Sequence, residues 1–213
     1  MRIPNHIGII PDGNRRWAKK HGLGKEEGYD YGLNPGLLLL RQARDYGVKE
    51  ITYYGFTVDN CKRPMIQQNA FKKACVDAVS IIALEGTSLL VVGNTKSVSF
   101  PKELLPYTKR TEINGGGIKV NFLVNYGWEW DLSNLNSNEY KDKSVQSRLY
   151  SSDISRIDLI IRWGNMRRLS GFLPVQSVYS DFFVVDEMWP DYTSKHLTQA
   201  FDWYNRQDVT LGG

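Results

Sequence analysis

The sequence holds two cysteines, three histidines and eight prolines in 213 residues, and each scarcity excludes something. Cys61 and Cys75 lack any zinc-type spacing, so both are expected as free thiols in a reducing compartment. His6, His21 and His196 are too scattered for a zinc site or a hydrolytic triad. No apolar run approaches the ~20 residues that span a bilayer. The opening Met1-Arg2-Ile3-Pro4-Asn5-His6 has neither the apolar stretch nor the cleavage site of a signal peptide. A cytoplasmic protein without a transmembrane segment is the expectation. Also missing are an Asp-rich DDxxD run, a Walker-type phosphate loop and the dinucleotide fingerprint, whose spacing Gly22, Gly24 and Gly28 do not reproduce. The 27 basic and 23 acidic residues leave a net charge of only +4 with no basic block, which argues against nucleic acid as a partner. A small anion needs no more than a few convergent arginines, which this balance allows.

What is present is globular in character, with 41% hydrophobic and 23% charged residues. The length suits one domain over residues 1–213 that can bury a core without disulfides or a structural metal. Short runs rich in Ile, Val and aromatics recur at residues 7–10, 51–56, 89–92, 118–124, 159–161 and 182–185. Between them, residues 37–46, 67–84 and 197–205 carry helical periodicity. This alternation predicts an α/β fold with a central, mainly parallel sheet flanked by helices, in which ligands gather at the carboxyl ends of the strands. There is no internal repeat. Residues 134–152 are polar and read as an insertion.

The residues that follow the strands are therefore the ones to inspect. After residues 7–10 comes Pro11-Asp12-Gly13-Asn14-Arg15-Arg16, a turn that opens a helix. A helix start presents unpaired amides to a diphosphate, and an aspartate there can supply one of the few carboxylates that Mg²⁺ takes alongside substrate phosphates. Equally, Asp12 can be a plain N-cap with the arginines forming a solvated face. After residues 51–56, Asn60 and Arg63 stand in a second polar turn that also leads into a helix. After residues 159–161, Arg162, Arg167, Arg168 and Ser170 lie close together at spacings that do not make one helical stripe, so a loop wrapped around an anion is expected. Asp181, just before Phe182, is a candidate second metal ligand.

Taken in order, residues 6–18, 56–64, 125–127, 162–170 and 189–191 and the terminal Gly212-Gly213 resemble the cis-prenyltransferases, the undecaprenyl diphosphate synthase family. The resemblance runs over nearly the whole chain. It implies a homodimer, an apolar tunnel for a prenyl chain, and Mg²⁺-dependent condensation of isoprenyl diphosphates such as dimethylallyl and isopentenyl diphosphate. A long product would add peripheral membrane contact. By the resemblance, Asp12 matches the family's metal-binding catalytic aspartate, Asn60 its catalytic asparagine, and Asp181 replaces its second metal-binding glutamate. Gly13, Asn14, Arg15 and Arg16 match the cradle of the allylic diphosphate, with Arg63 beside Asn60. Arg162, Arg168 and Ser170 match the second diphosphate site. Such chemistry needs positive charge around a leaving group and an apolar lining that keeps water from a carbocation, here expected on residues 37–46 and 67–84.

Four departures bear on the product. Pro11 replaces a methionine, Lys25 an arginine that holds phosphate, Tyr29 a histidine, and Met166 a glutamate in the second diphosphate loop. Lys25 and Tyr29 are retained as diphosphate-binding candidates. With Arg15-Arg16-Trp17, Gly28-Tyr29 and Pro174, these departures are similar to the subgroup that makes lavandulyl-type and cyclolavandulyl-type diphosphates. Those enzymes join units head to middle. An allylic acceptor and a branched product are therefore expected. Two other readings are a regular cis-prenyl diphosphate synthase of short or medium chain length that uses isopentenyl diphosphate, and a non-catalytic prenyl-diphosphate-binding partner subunit, against which the presence of Asp12 stands.

Overall fold

Strands β1 (His6–Ile10), β2 (Glu50–Tyr54), β3 (Ser88–Val92), β4 (Thr111–Glu112), β5 (Lys119–Leu123), β6 (Leu159–Arg162) and β7 (Asp181–Val184) form one sheet. Their order is β4-β3-β5-β2-β1-β6-β7, parallel throughout except for β4 on β3. This computed structural model describes residues 1–136 and 144–208. Part of the polar segment at 134–152 and the terminal Gly212-Gly213 lie outside the described residues. Every residue of β1, β2 and β3 is buried, as expected of parallel strands covered on both faces. The antiparallel β4 was not anticipated, because two residues carry no periodicity.

Helices α2 (Leu33–Tyr46), α3 (Met65–Ala83) and α5 (Ser194–Asn205) pack on one face of the sheet. Leu39, Leu40 and Ala43 of α2 and Val79 of α3 are sealed against Ile7, Ile9 and Ile51. Full burial of each Leu, Ile or Val side chain here contributes about 1.5–3 kcal/mol. The other face is covered differently from expectation. Ile154, Ile157, Phe172 and Leu173, none of them in a long helix, pack there against Ile10, Tyr54 and Ile160. Shorter helices α1 (Asn14–Lys20) and α4 (Trp128–Ser133) follow β1 and β5.

Toward the amino ends of the strands lies a closed polar network. Nε2 of His6 meets the Thr52 hydroxyl at 2.8 Å, and Asn121 Nδ2 donates to Glu50 Oε1 at 2.7 Å. Ser155 Oγ donates to Glu50 Oε2 at 2.7 Å. Burial holds the His6 imidazole below its ordinary value. Burial also pushes the Glu50 carboxyl upward, but His6, Ser155 and Asn121 outweigh it and keep the group ionised. These groups satisfy one another and face away from the end where β1 and β6 deliver Asp12 and Arg162.

Candidate active site

The carboxyl ends of β1, β2 and β6 open onto a cavity of ≈ 650 Å³. Asp12, Gly13, Asn14, Arg15 and Arg16 line it from the turn after β1. Thr57, Asp59, Asn60 and Arg63 line it from the 3₁₀ turn Val58–Lys62 and its flanks, after β2. Arg162, Met166, Arg168 and Ser170 come from the end of β6 and the loop beyond. Lys25 and Tyr29 also line it. Segments remote in sequence thus converge because β1 lies between β2 and β6 in a parallel ladder, which puts all three strand ends on one side.

Asp12 is not an N-cap. Gly13 holds that position at φ 106°, a left-handed conformation. A Cβ there would also come within 2.8 Å of Met188 Cβ, so glycine is required. The Asp12 carboxylate turns sideways instead. Its Oδ1 accepts the Gly13 N–H at 2.6 Å, and its Oδ2 accepts from Arg162 Nη2 at 2.8 Å. Arg16 Nη2 stands 3.5 Å from Oδ1 and donates to the Gly164 carbonyl at 2.9 Å. The expected anion site at a helix start is also modified, since α1 has only seven residues and little dipole to offer. Side chains carry the field. Seven basic groups line the cavity, Lys19 among them, against the carboxylates of Asp12 and Asp59. At an effective dielectric constant of ~20, one charge pair at ~4 Å is worth about 4 kcal/mol, so the cavity favours a multiply charged anion.

Arg162 and Arg63 are held by specific partners. Arg162, 4% exposed, binds the Arg168 carbonyl and the Ser170 hydroxyl, the latter at 3.0 Å. The loop that wraps it uses left-handed backbone at Gly164, Asn165, Ser170, Gly171 and Leu173, and Tyr54 Oη pins it by donating to the Ser170 carbonyl at 2.8 Å. Arg63 Nη1 donates to Tyr29 Oη at 2.8 Å, and the Tyr29 ring stacks on Phe71 at 4.4 Å and 3°. Burial raises the Tyr29 hydroxyl above its ordinary value against the pull of Arg63 and Arg15, so it stays protonated. Asn60 Oδ1 accepts the Thr57 N–H at 2.9 Å, and its Nδ2 has no hydrogen bond among the described residues. Nε of Arg15 and of Arg162 are likewise buried without a partner among the described residues.

Asp181 stands apart. It is the first residue of β7, in register with Leu159, and so lies at the amino end of the sheet, whereas Arg162 lies at the carboxyl end. The expectation placed it before the strand; the strand starts on it. Within one chain it does not join Asp12 as a second carboxylate, and it shares its surroundings with Asp158 and Arg2. Arg167 is exposed and does not line the cavity. Sequence reading missed Tyr54, Asp59 and Lys19. Lys19 was legible, because three and four residues after Arg16 and Arg15 it shares their helix face.

A smaller, apolar chamber of ≈ 70 Å³ adjoins the cavity and shares Pro11, Asn14, Tyr29, Tyr54, Gly55 and Phe71 with it. Phe71, Ala74, Cys75, Ala78 and Ile82 face it as one stripe of α3, as anticipated for residues 67–84. From α2 the lining comes from Leu33 and Gly36, not from residues 37–46, whose Leu39 and Leu40 are consumed by the core. Cys61 and Cys75 are both free, and burial pushes the Cys75 thiol up to about 12, so it behaves as a small apolar group.

The sequence model of the prenyltransferase family described as undecaprenyl diphosphate synthase matches residues 10–212. The chain belongs to this family. It is a cis-prenyltransferase, similar to the isoprenyl transferase of Heliobacterium mobile, at 30% identity over 100% of this chain and 88% of that protein. It is 32% identical to the isoprenyl transferase of Streptococcus thermophilus, over 99% of this chain and 94% of that one. The (2E,6E)-farnesyl-diphosphate-specific ditrans,polycis-undecaprenyl-diphosphate synthase of Aliivibrio fischeri is 27% identical, over 99% and 89%. Among solved structures, lavandulyl diphosphate synthase from Lavandula x intermedia, in complex with dimethylallyl diphosphate, has the same fold, with a TM-score of 0.85 at 21% identity over 99% of this chain and 98% of that one. Among the described residues, no helix of this prenyltransferase is long and apolar enough to cross a membrane.

A family generally dependent on Mg²⁺ raises the question of whether this donor set fits the ion. Asp12 is one-third exposed and opens on the cavity, while Asp59 is engaged at 2.7 Å by Lys62. A single carboxylate facing the anion cavity is the set expected where Mg²⁺ is carried in on phosphate oxygens and keeps several waters. The residues fit.

The close approach of the Glu27–Gly32 turn to α1 yields one prediction. A Cβ on Gly28 would lie 2.2 Å from the Asn14 carbonyl oxygen. Gly28→Ala must therefore push α1 and its Arg15, Arg16 and Lys19 out of place. Overpacking of this kind costs about 1–3 kcal/mol. Thermal melting and steady-state kinetics should show a lowered Tm together with a raised KM for the diphosphate substrate.

Proposed function

We propose that this prenyltransferase joins two allylic diphosphates head to middle with Mg²⁺, taking dimethylallyl diphosphate as acceptor and releasing a branched, lavandulyl-type diphosphate. The observation that carries the reading is Met166, which lines the cavity in the loop of Arg162 and Arg168 and brings no carboxylate to that wall. A thioether leaves the second diphosphate without a carboxylate beside it, so the acceptor is free to present a different carbon. The dimethylallyl diphosphate bound by the plant enzyme of the same fold supports this reading.

In the proposed reaction the C1–O bond of the donor breaks, and its electron pair leaves with diphosphate toward Arg15, Arg16 and Arg63. The alkene carbon C2 of the acceptor bonds to donor C1, and positive charge passes to the acceptor's C3. A methyl group on C3 then loses a proton to the departing diphosphate. Two dimethylallyl diphosphates thus give one branched ten-carbon diphosphate and one protonated diphosphate. Asp12 would hold Mg²⁺ through the diphosphate, and the ion would neutralise charge on the leaving group. Asn60, oriented through its Oδ1, would donate its free Nδ2 to phosphate. Arg162, Arg168 and Ser170 would hold the acceptor's diphosphate, and the apolar chamber would keep water from the cation. A homodimer belongs to the same reading, and sedimentation velocity measures it.

Incubation with Mg²⁺ and dimethylallyl diphosphate alone should give a branched product by NMR and mass spectrometry. Met166→Glu should lower its yield about tenfold or more, in line with one misplaced charge at a diphosphate site. A strict requirement for isopentenyl diphosphate with linear Z-chains formed would sink the proposal. That outcome would favour a regular chain elongator, the reading supported by the names of the relatives.

A further inference from the structure

We propose that the site admits a donor of a single isoprene unit and that Tyr53 and Phe122 set this limit. The inference rests on the proposed use of the apolar chamber for the donor's hydrocarbon. The chamber is lined by α3 from Phe71 to Ile82, a distance of ~16 Å along the helix axis. Yet it offers only ≈ 70 Å³. One water-sized sphere takes about 10–15 Å³ of such space, so there is room for roughly five or six heavy atoms. That matches the five carbons of a dimethylallyl group. The ten carbons of the next homologue would need about twice that space.

Three positions on the helical walls leave no bulk to remove. Ala74 and Ala78 on α3 and Gly36 on α2 are already minimal. The sheet side carries the bulk. Tyr53 and Phe122 are paired in register on β2 and β5 and stack with centroids 5.1 Å apart at 18°. Both are 4% exposed. Tyr53 Oη donates to the Gly36 carbonyl at 2.8 Å, which ties this floor to α2 and keeps the ring from swinging aside. A longer chain would have to break that bond and move a ring embedded in close-packed core.

The test uses allylic diphosphates of five, ten and fifteen carbons as donors, each with Mg²⁺ and with dimethylallyl or isopentenyl diphosphate as acceptor. The five-carbon donor should exceed the ten-carbon donor in kcat/KM by roughly 30-fold or more, since each excluded group is worth about 10–200-fold. Tyr53→Leu and Phe122→Leu should raise the ten-to-five ratio by about tenfold. Should Tyr53→Leu fail to fold, Ala78→Leu carries the test from the opposite wall, where the residue is only partly buried. It should lower five-carbon turnover by about tenfold while inorganic diphosphate still binds. Equal use of five- and ten-carbon donors by the unaltered enzyme, or full five-carbon turnover in Ala78→Leu, would overturn the proposal. Linear products from a five-carbon donor would refute the head-to-middle reading and leave the donor limit standing. Branched products formed as readily from a ten-carbon donor as from a five-carbon one would do the reverse.

Discussion

Asp12→Asn should lower kcat by about 10²–10³-fold, the loss typical of removing one electrostatic group from a site where charge develops. The amide is isosteric, and its oxygen can still accept from Gly13, but then its NH₂ faces the Arg162 guanidinium where a carboxylate oxygen stood at 2.8 Å. Arg162 keeps the Arg168 carbonyl and the Ser170 hydroxyl. Folding therefore loses no more than about 1.5–3 kcal/mol, the value of one charge-assisted bond. At this chain length that lowers Tm by roughly 3–12 °C. The decisive reading is the Mg²⁺ titration. A variant with full kcat and an unaltered metal dependence would remove the carboxylate from the proposed reaction.

The second large effect is expected at Arg162. It is almost fully buried and bonds the turn after β1 and the loop after β6 at once, through Asp12, the Arg168 carbonyl and Ser170. Lysine keeps the charge but has no planar fork, so Arg162→Lys cannot meet Asp12, Ser170 and the Arg168 carbonyl together. The kcat/KM should fall about 10²-fold or more, with a Tm loss of roughly 4–12 °C from two or more forfeited bonds. Combining Arg162→Lys with Asp12→Asn provides a check. Because the two side chains touch, their effects should fall short of additivity by about 1–3 kcal/mol. Strict additivity would mean that they act separately.

Much of the site was legible because a parallel sheet collects its strand ends, so the residues after each apolar run were the right ones to read. Asp12, Asn60 and Arg162 came together on that ground. Other features were hidden for definable reasons. Asp181 was read at a strand start, and in a parallel strand that is the end of the sheet opposite the one where Asp12 and Arg162 meet. The second face of the sheet was expected to carry helices, yet Phe172 and Leu173 cover it from a loop whose left-handed turns at Ser170 and Leu173 have no signal in residue type. The α2 stripe was periodic enough to predict the helix, but periodicity alone cannot tell a residue facing core from one facing a chamber. Leu39 went to the core, and Gly36, with no side chain to register, lines the space.

The strand order also has a consequence for how the chain is made. β1 is synthesised first and becomes the interior of the sheet, with β2 on one edge and β6 on the other. About 100 residues separate the end of β2 from the start of β6. At a synthesis rate of ~5–20 residues per second, the second edge of an apolar strand stays open for about 5–20 s on the ribosome. An unpaired edge is a template for association with other chains. Asp12 also lacks Arg162 for the whole of that interval, so a nascent chain carries the leading half of its site long before that half has a partner.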